Sequence, residues 1–216
     1  MASIKALEKL VGTLSNTSKM PGFSYEIPAE KCNIGSRLRK VSGSVCEDCY
    51  ALKGLYVRYA KTIKPAQYKR LDALELGPEW VRLITDLIGR KVSGSVPFFR
   101  WFGSGDLQSL EHLEMIVEVC RNLPEIAFWL PTREVPIVHA YQVKHPGPFP
   151  INLNVRISGN MINGSAPRLP HCTQSVVSTQ DRSDALTCQA PANAGHCGEC
   201  RACWNPSIKN VNYHQH

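Results

Sequence analysis

The sequence lacks the features of several large protein classes. None of its apolar runs approaches the roughly 20 residues that cross a bilayer, so we expect no membrane-spanning helix. The N-terminus has no long apolar segment before a small-residue cleavage site, which argues against secretion and favours the cytoplasm. No internal repeat or low-complexity tract is visible, and hydrophobic residues make up 43% of the chain, which excludes a disordered or collagenous protein. The 216 residues therefore predict one domain, or one domain with an extension.

Cysteine is the residue that the sequence has in excess. Nine cysteines in a chain expected to occupy a reducing compartment indicate metal binding more than disulfides. Seven of them form two groups, which we interpret as metal ligands. The N-terminal cysteine group is Cys32, Cys46 and Cys49, and the C-terminal cysteine group is Cys188, Cys197, Cys200 and Cys203. The remaining two, Cys120 and Cys172, fit a core helix and a loop.

The C-terminal cysteine group carries the stronger signal. Cys197, Cys200 and Cys203 follow one another at two C-x-x-C steps, and this spacing suits a [4Fe–4S] cluster. Zinc is the alternative, because it takes the same thiolate ligands. Cys46 and Cys49 could also join Cys197 and Cys200 as the two halves of a zinc ribbon. Seven thiols are one short of two complete four-thiolate sites, so either one site is open or three thiols are spare.

The middle of the chain alternates strand-like apolar runs with amphipathic helices. Strands are predicted over residues 96–102, 126–130, 151–157 and 175–178. This order is typical of parallel βα units, so we predict an α/β fold, either an open parallel sheet or a small partial barrel. Residues 1–187 would form the α/β domain, and residues 188–216 a cysteine-rich extension packed on it.

The N-terminal segment is predicted to be less regular. A short amphipathic helix is expected within the first 15 residues, and residues 20–45, rich in Pro, Gly and Ser, are expected to form an irregular loop. No strand is evident before Cys32. A helix should follow Cys49 and break or kink at Pro65.

A glycine turn follows the first predicted strand of the middle region. Gly103, Ser104, Gly105 and Asp106 stand where parallel sheets gather ligands, beyond the carboxyl end of a strand. Polar residues also follow the next two strands, so we predict a small-molecule site at this turn. The alternative is that Asp106 only caps the next helix, together with Ser109.

Positive charge is concentrated in the first 70 residues. The net charge is +7, and residues 1–70 hold 13 Lys and Arg against 5 Asp and Glu. Residues 37–70, with tyrosines among the cations, are a candidate nucleic-acid surface, although a solvated basic face has the same composition. A zinc-stapled nucleic-acid-binding or host-interaction protein is therefore the second functional hypothesis.

The cysteine groups and the glycine turn together resemble radical S-adenosylmethionine enzymes. In that superfamily three cysteines hold a [4Fe–4S] cube with one open iron, and a glycine-rich acidic turn binds the methionyl amine. The resemblance implies that Cys32, Cys46 and Cys49 hold the open cube and that residues 103–106 bind S-adenosylmethionine. It also implies an auxiliary cluster on the C-terminal cysteine group.

Longer motifs are similar to a family of tailed-phage proteins named gene product 88. The motifs are PGFSYEIP at 21–28, CEDCYALKG at 46–54, SGDLQS at 104–109 and CGECRACW at 197–204. This resemblance covers most of residues 20–214 and implies a phage or prophage origin and a bacterial cytoplasmic setting. It implies no reaction. We therefore expect a phage-encoded iron–sulfur protein with radical or electron-transfer chemistry, and a small-molecule ligand or redox partner.

Overall fold

An eight-stranded, mostly parallel sheet organises the chain in the computed structural model, which describes residues 2–92 and 96–215. The strands are β1 (Ser15–Asn16), β2 (Phe23–Tyr25), β3 (Phe98–Trp101), β4 (Ala127–Thr132), β5 (Leu153–Ser158), β6 (Thr173–Ser178), β7 (Leu186–Thr187) and β8 (Asn210–His214). The helices are α1 (Ile4–Val11), α2 (Asn33–Leu38), α3 (Gly54–Arg58), α4 (Ala60–Ala73), α5 (Pro78–Val92), α6 (Leu110–Asn122) and α7 (Val135–Lys144). In this described part of the chain no helix is long and apolar enough to cross a membrane.

The strand order confirms the predicted α/β fold with a parallel sheet. Strands β2 to β6 lie side by side in chain order and are all parallel, with β1 antiparallel at one edge. Strand β8 pairs in parallel with β6 and β7, so the C-terminal strand lies inside the sheet. The two outermost strands do not pair with each other, and the sheet is therefore open and not a closed barrel.

The two faces of the sheet differ in chemistry, because successive residues of a strand point to opposite faces. One face carries buried apolar side chains such as Phe99, Trp101 and Phe128, which belong to the main core together with residues of α1, α5 and α6. The opposite face is more polar, since the cross-strand neighbours Arg100, Trp129 and Asn154 share it. The polar face is the one available for a site.

The N-terminal segment is more regular than its composition predicts. The expected loop over residues 20–45 contains β2 and α2, and β2 pairs with β3 through Ser24 and Arg100. Strand β2 ends at Tyr25, seven residues before Cys32, where the sequence shows no strand because three residues are too few to display a period of two. The prediction of a break at Pro65 is also wrong: Pro65 lies inside α4, and the interruption falls at Tyr59.

The C-terminal segment crosses the polar face before it enters the sheet as β8. Trp204 is buried, donates its Nε1 hydrogen to the Phe99 carbonyl at 2.9 Å and packs on Trp129. Arg156 donates to the main-chain carbonyls of Ala202 and Ile208, both at 3.1 Å. These contacts fix the C-terminal segment to the centre of the sheet.

Candidate functional site: a cysteine-lined cavity

A cavity of about 650 Å³ opens at the edge where the parallel strands end. Five strands supply residues at or just beyond their carboxyl ends: Glu26, Phe102–Asp106, Thr132–Arg133, Ser158–Gly159 and His214–Gln215. The volume lies in the range of small-molecule and cofactor sites. Much of the remaining wall comes from the segment that follows β2, which carries the N-terminal cysteine group.

Helix α2 positions the first two of those cysteines. Cys32 directly precedes α2, and the Glu134 carboxylate accepts the Ile34 N–H at 2.8 Å, which holds the start of the helix. Gly35 leaves room between the thiols: a side-chain carbon placed there would lie 3.6 Å from the Cys32 sulfur and 3.7 Å from the Cys46 sulfur. Both sulfurs therefore border the same small space.

All three members of the N-terminal cysteine group line the cavity. Burial raises the pKa of the Cys32 thiol, and the neighbouring Asp106, Cys49 and Cys46 raise it further. Burial also raises the pKa of Cys46, against the opposing effect of nearby Arg133. Cys46 and Cys49 therefore act electrostatically on Cys32, and the three residues share one cavity wall.

The glycine turn forms another part of the wall, with all four of residues 103–106 facing the cavity. Gly105 has a φ of +78°, and the residue that starts the turn, Phe102, has a φ of +59° although it is not glycine. The Tyr50 hydroxyl donates to the Gly103 carbonyl, and the Ser104 hydroxyl donates to the Ile27 carbonyl at 3.0 Å. The turn is thus strained and fixed from both sides.

Asp106 is engaged by the protein and does not stand free. Its carboxylate accepts from the Thr132 hydroxyl at 2.6 Å, the Leu107 N–H at 2.8 Å and the Arg133 N–H at 2.9 Å. Burial raises its pKa above the ordinary aspartate value, although these three donors act to lower it. The helix-capping alternative applies to Ser109, which accepts the His112 N–H at 3.1 Å, whereas Asp106 joins the turns after β3 and β4.

A buried ion pair lies beside the turn, and no sequence motif indicates it. Arg70 lies 3.8 Å from the Glu26 carboxylate and donates to the Thr13 carbonyl at 2.8 Å. Arg70 belongs to the predicted basic surface of residues 37–70, yet it is only 4% exposed. Glu26 lines the cavity, and a side chain at Gly103 would lie 2.9 Å from its Cγ.

The C-terminal cysteine group lies beyond another part of the same wall. Cys188 and Cys200 both influence the pKa of Cys197, which burial raises. Burial also raises the pKa of Cys203 to about 11, and its sulfur lies 3.1 Å from the Tyr213 hydroxyl. Tyr213 lines the cavity, whereas the four cysteines do not. Tyr213 therefore lies between Cys203 and the cavity.

The structure does not bring the two cysteine groups together as a zinc ribbon. In residues 2–92 and 96–215 no group of three or more His, Cys, Asp or Glu side chains is placed so that it could hold a metal ion. A zinc ion needs thiolate sulfurs about 3.8 Å apart, since each lies about 2.3 Å from the metal in a tetrahedron. All nine cysteines are free thiols.

Comparison with known proteins assigns the family. The family described as Gene product 88 matches residues 3–206, which is nearly the whole chain. No curated protein and no solved structure matches. The more distant resemblance to radical S-adenosylmethionine enzymes gains no support from these comparisons, but the predicted phage family is confirmed. The chain belongs to the Gene product 88 family.

Proposed function

We propose that this protein holds a [4Fe–4S] cluster through Cys32, Cys46 and Cys49 and uses the cavity for a small molecule that carries an amine, with S-adenosylmethionine as the candidate. One observation carries the proposal: the three thiols and the Gly103–Asp106 turn line a single cavity at the carboxyl edge of the parallel strands. Three thiolates leave one iron of a four-iron cluster without a protein ligand, and that iron would face the cavity.

The donor set fits such a cluster. The absence of a side chain at Gly35 leaves space between two of the thiols, and the cations Arg39 and Arg133 act on Cys46. A cube distributes its ligands over separate irons, so its thiols need not converge on one point as they do for zinc. When bound, the cluster would supply electrons or Lewis acidity at its open iron.

The turn would receive the amine. Gly103 and Gly105 allow the ligand to approach the main chain closely. Carbonyl oxygens have two lone pairs, so the Gly103 carbonyl can accept a further hydrogen beside that of Tyr50. Asp106 uses three of its roughly four lone-pair positions on the protein and orients the turn, with one position left for the ligand.

The C-terminal cysteine group would hold a second cluster. Its four thiols are the full complement of a closed cube, and Tyr213 connects Cys203 to the cavity wall. This site suits electron transfer rather than ligand binding. The bacterial cytoplasm is the compartment that we propose, because it keeps such thiols reduced.

Iron and sulfide analysis of anaerobically purified protein tests the proposal. We expect about four irons and four sulfides for each cluster, lost selectively when the cysteines of one group are replaced by alanine. Cys172→Ala is the matched control, since this partly buried thiol lies outside both groups. Stoichiometric zinc in a colourless protein would contradict the proposal.

Electron paramagnetic resonance tests the ligand. In the reduced protein, S-adenosylmethionine should perturb the signal that depends on Cys32, Cys46 and Cys49. An unchanged signal would refute this ligand while leaving cluster binding intact.

A further inference from the structure

We propose that a single-stranded nucleic acid binds across the mouth of the cavity and places one nucleotide inside it. We infer further that this nucleotide is the substrate of the cavity, and only this part rests on the proposed function. The binding surface itself consists of protein side chains and requires no cluster. Its occupant is identified by unpaired cations in the cavity wall, by a basic surface that continues from the wall, and by exposed tyrosines at the mouth.

The charges of the wall are unbalanced. All three carboxylates of the wall have partners in the protein. Glu26 contacts Arg70 and two serine hydroxyls, and Asp48 pairs with Lys53. Asp106 accepts from Thr132 and from two main-chain N–H groups. The cations of the wall are Lys19, Arg39, Arg100 and Arg133. Within the described residues none of these four forms an ion pair with a carboxylate. A three-thiolate cube in its oxidised form carries a single negative charge, which leaves most of them for an anionic ligand.

The positive surface continues outside the cavity. Arg39 lines both the cavity and a shallow surface depression whose other residues are Ser36, Arg37 and Lys40. We call the exposed cations Arg37, Lys40, Arg58 and Lys61 the basic rim; in the part of the chain that the structure describes, none of them forms an ion pair. Arg37 and Lys40 share the depression with Arg39, so phosphates bound there can lead into the cavity beside Arg39.

Tyrosines at the mouth offer faces on which bases can stack. Tyr50 lines the cavity yet is 60% exposed, and its hydroxyl bond to Gly103 holds the ring in place. Tyr59 follows α3, which contacts the turn that carries Tyr50; it does not line the cavity, but it is 52% exposed and lies beside the Arg58 guanidinium. Helix α3 buries no residue and exposes Leu55 and Val57. Fixed aromatic rings among cations are the pattern by which proteins bind single strands.

This combination favours a single strand over other anionic partners. A duplex keeps its bases stacked on one another, so it would leave the tyrosines without partners. An anionic peptide has no regular series of planar rings. A single strand offers phosphates to the cations and bases to the tyrosines, and one of its bases can leave the stack and enter the cavity.

Binding of fluorescent 12-nucleotide DNA and RNA strands to the purified protein, measured over a range of salt concentrations, tests the inference. We expect log K to fall with log[salt] with a slope of about −3, since each phosphate contact of a single strand contributes about −0.7. Arg37→Gln with Lys40→Gln should make this slope shallower by about 1.4. The control Lys5→Gln with Lys9→Gln removes the same charge from exposed positions of α1 and should leave it unchanged.

Stacking is tested separately. Tyr59→Ala should weaken binding by about fivefold or more, whereas Tyr59→Phe should bind as the wild type does. A strand that carries a photoreactive uracil should cross-link to the segment from Tyr50 to Tyr59. Equal affinity for duplex, an unchanged slope in the Arg37 and Lys40 variant, or cross-links only to α1 would each overturn the inference.

The same preparations separate this inference from the proposed function. The variant with Cys32→Ala, Cys46→Ala and Cys49→Ala should still bind the strand, because the binding surface needs no cluster. If this variant does not bind the strand, the proposed surface is wrong. If the wild-type protein contains iron but binds no strand, this inference is wrong and the proposed function stands. Strand binding without iron supports the surface and refutes the cluster.

Discussion

Replacing Arg70 by methionine tests whether a buried ion pair supports the sheet edge beneath the cavity. Arg70 and Glu26 are 4% and 8% exposed, and the guanidinium lies 3.8 Å from the carboxylate. The guanidinium also donates to the Glu26 carbonyl at 3.0 Å and the Thr13 carbonyl at 2.8 Å. It thereby joins α4 to β2 and to the segment that leads into β1.

The expected loss of stability follows from what the substitution leaves behind. Methionine fills much of the arginine volume, but Glu26 keeps only the Ser15 and Ser24 hydroxyls as donors. Leaving one charge of a buried pair uncompensated costs about 3–5 kcal/mol. A domain of this size loses about 2–4 °C of Tm per kcal/mol, so Arg70→Met should lower Tm by about 6–20 °C.

Urea and thermal unfolding of the wild type and four variants would measure this loss. The neighbouring Lys69→Met is the control, because Lys69 is exposed and should change stability by no more than about 0.5 kcal/mol. Glu26→Gln removes the stranded charge, so the double variant should be more stable than the sum of its single changes by about 1 kcal/mol or more. Strict additivity, or a loss below about 1 kcal/mol in Arg70→Met, would refute the role of the pair.

Further predictions concern the turn, the core and the C-terminal segment. Gly105→Ala should lower the free energy of unfolding in urea by about 1–3 kcal/mol, because the φ of Gly105 is +78° and the new carbon would lie 2.7 Å from the Ile27 carbonyl oxygen. The control Gly54→Ala should lower it less, since Gly54 has a φ of +52° and open space around it. Burial lowers the pKa of His112 from 6.5 to about 3. The stability that depends on a neutral His112 is therefore complete above the unfolded pKa. It is lost as the pH falls from 6.5 towards 3, by up to about 1.4 kcal/mol per pH unit. His112→Phe should make the free energy of unfolding depend less steeply on pH in this range, and an equal slope would contradict the prediction. Trp204→Phe should lower the free energy of unfolding by about 1–3 kcal/mol, because the buried Phe99 carbonyl of β3 loses the Trp204 N–H as a donor. Trp204→Ala should lower it by about 3–5 kcal/mol. A loss below about 0.5 kcal/mol in either variant would show that Trp204 does not anchor the C-terminal segment.

The sequence predicts best those elements whose signal is local. Strands β4 and β5 are six residues each and strongly apolar on at least one face, so their alternation with helices is visible. The turn at Gly103–Asp106 is also recognisable, because two glycines and an acid follow a strand-like run. Strand β2 has three residues, too few to display a period, and β8 alternates Asn210 and Asn212 with Val211 and Tyr213 over only five residues, which is a weak signal. Both are specified by pairing with distant strands.

The partners of the predicted site residues are the part that sequence could not supply. Gln67 of α4 donates to the Ser104 hydroxyl at 2.7 Å, and Glu134 holds α2 from a distance of 100 residues along the chain. Neither belongs to a motif, and each contact exists only after the sheet has formed. Trp204 did leave a signal, since a lone tryptophan in a polar cysteine-rich segment indicates an anchor.

The cavity joins segments from both ends of the chain, and this links the two cysteine groups mechanically. Gly195, Tyr213 and Gln215 of the C-terminal segment form one part of its wall, and the segment that carries Cys32 forms another. The Tyr213 hydroxyl contacts Cys203, so any change that moves the C-terminal cysteine group also moves a residue of the wall. Strain at Phe102 lies at the same edge of the sheet, where a fixed but unfavourable backbone is expected beside a ligand site. Cys203→Ala should therefore weaken the binding of S-adenosylmethionine that we propose for the cavity, measured by the change it causes in the electron paramagnetic resonance signal, even though Cys203 does not line the cavity.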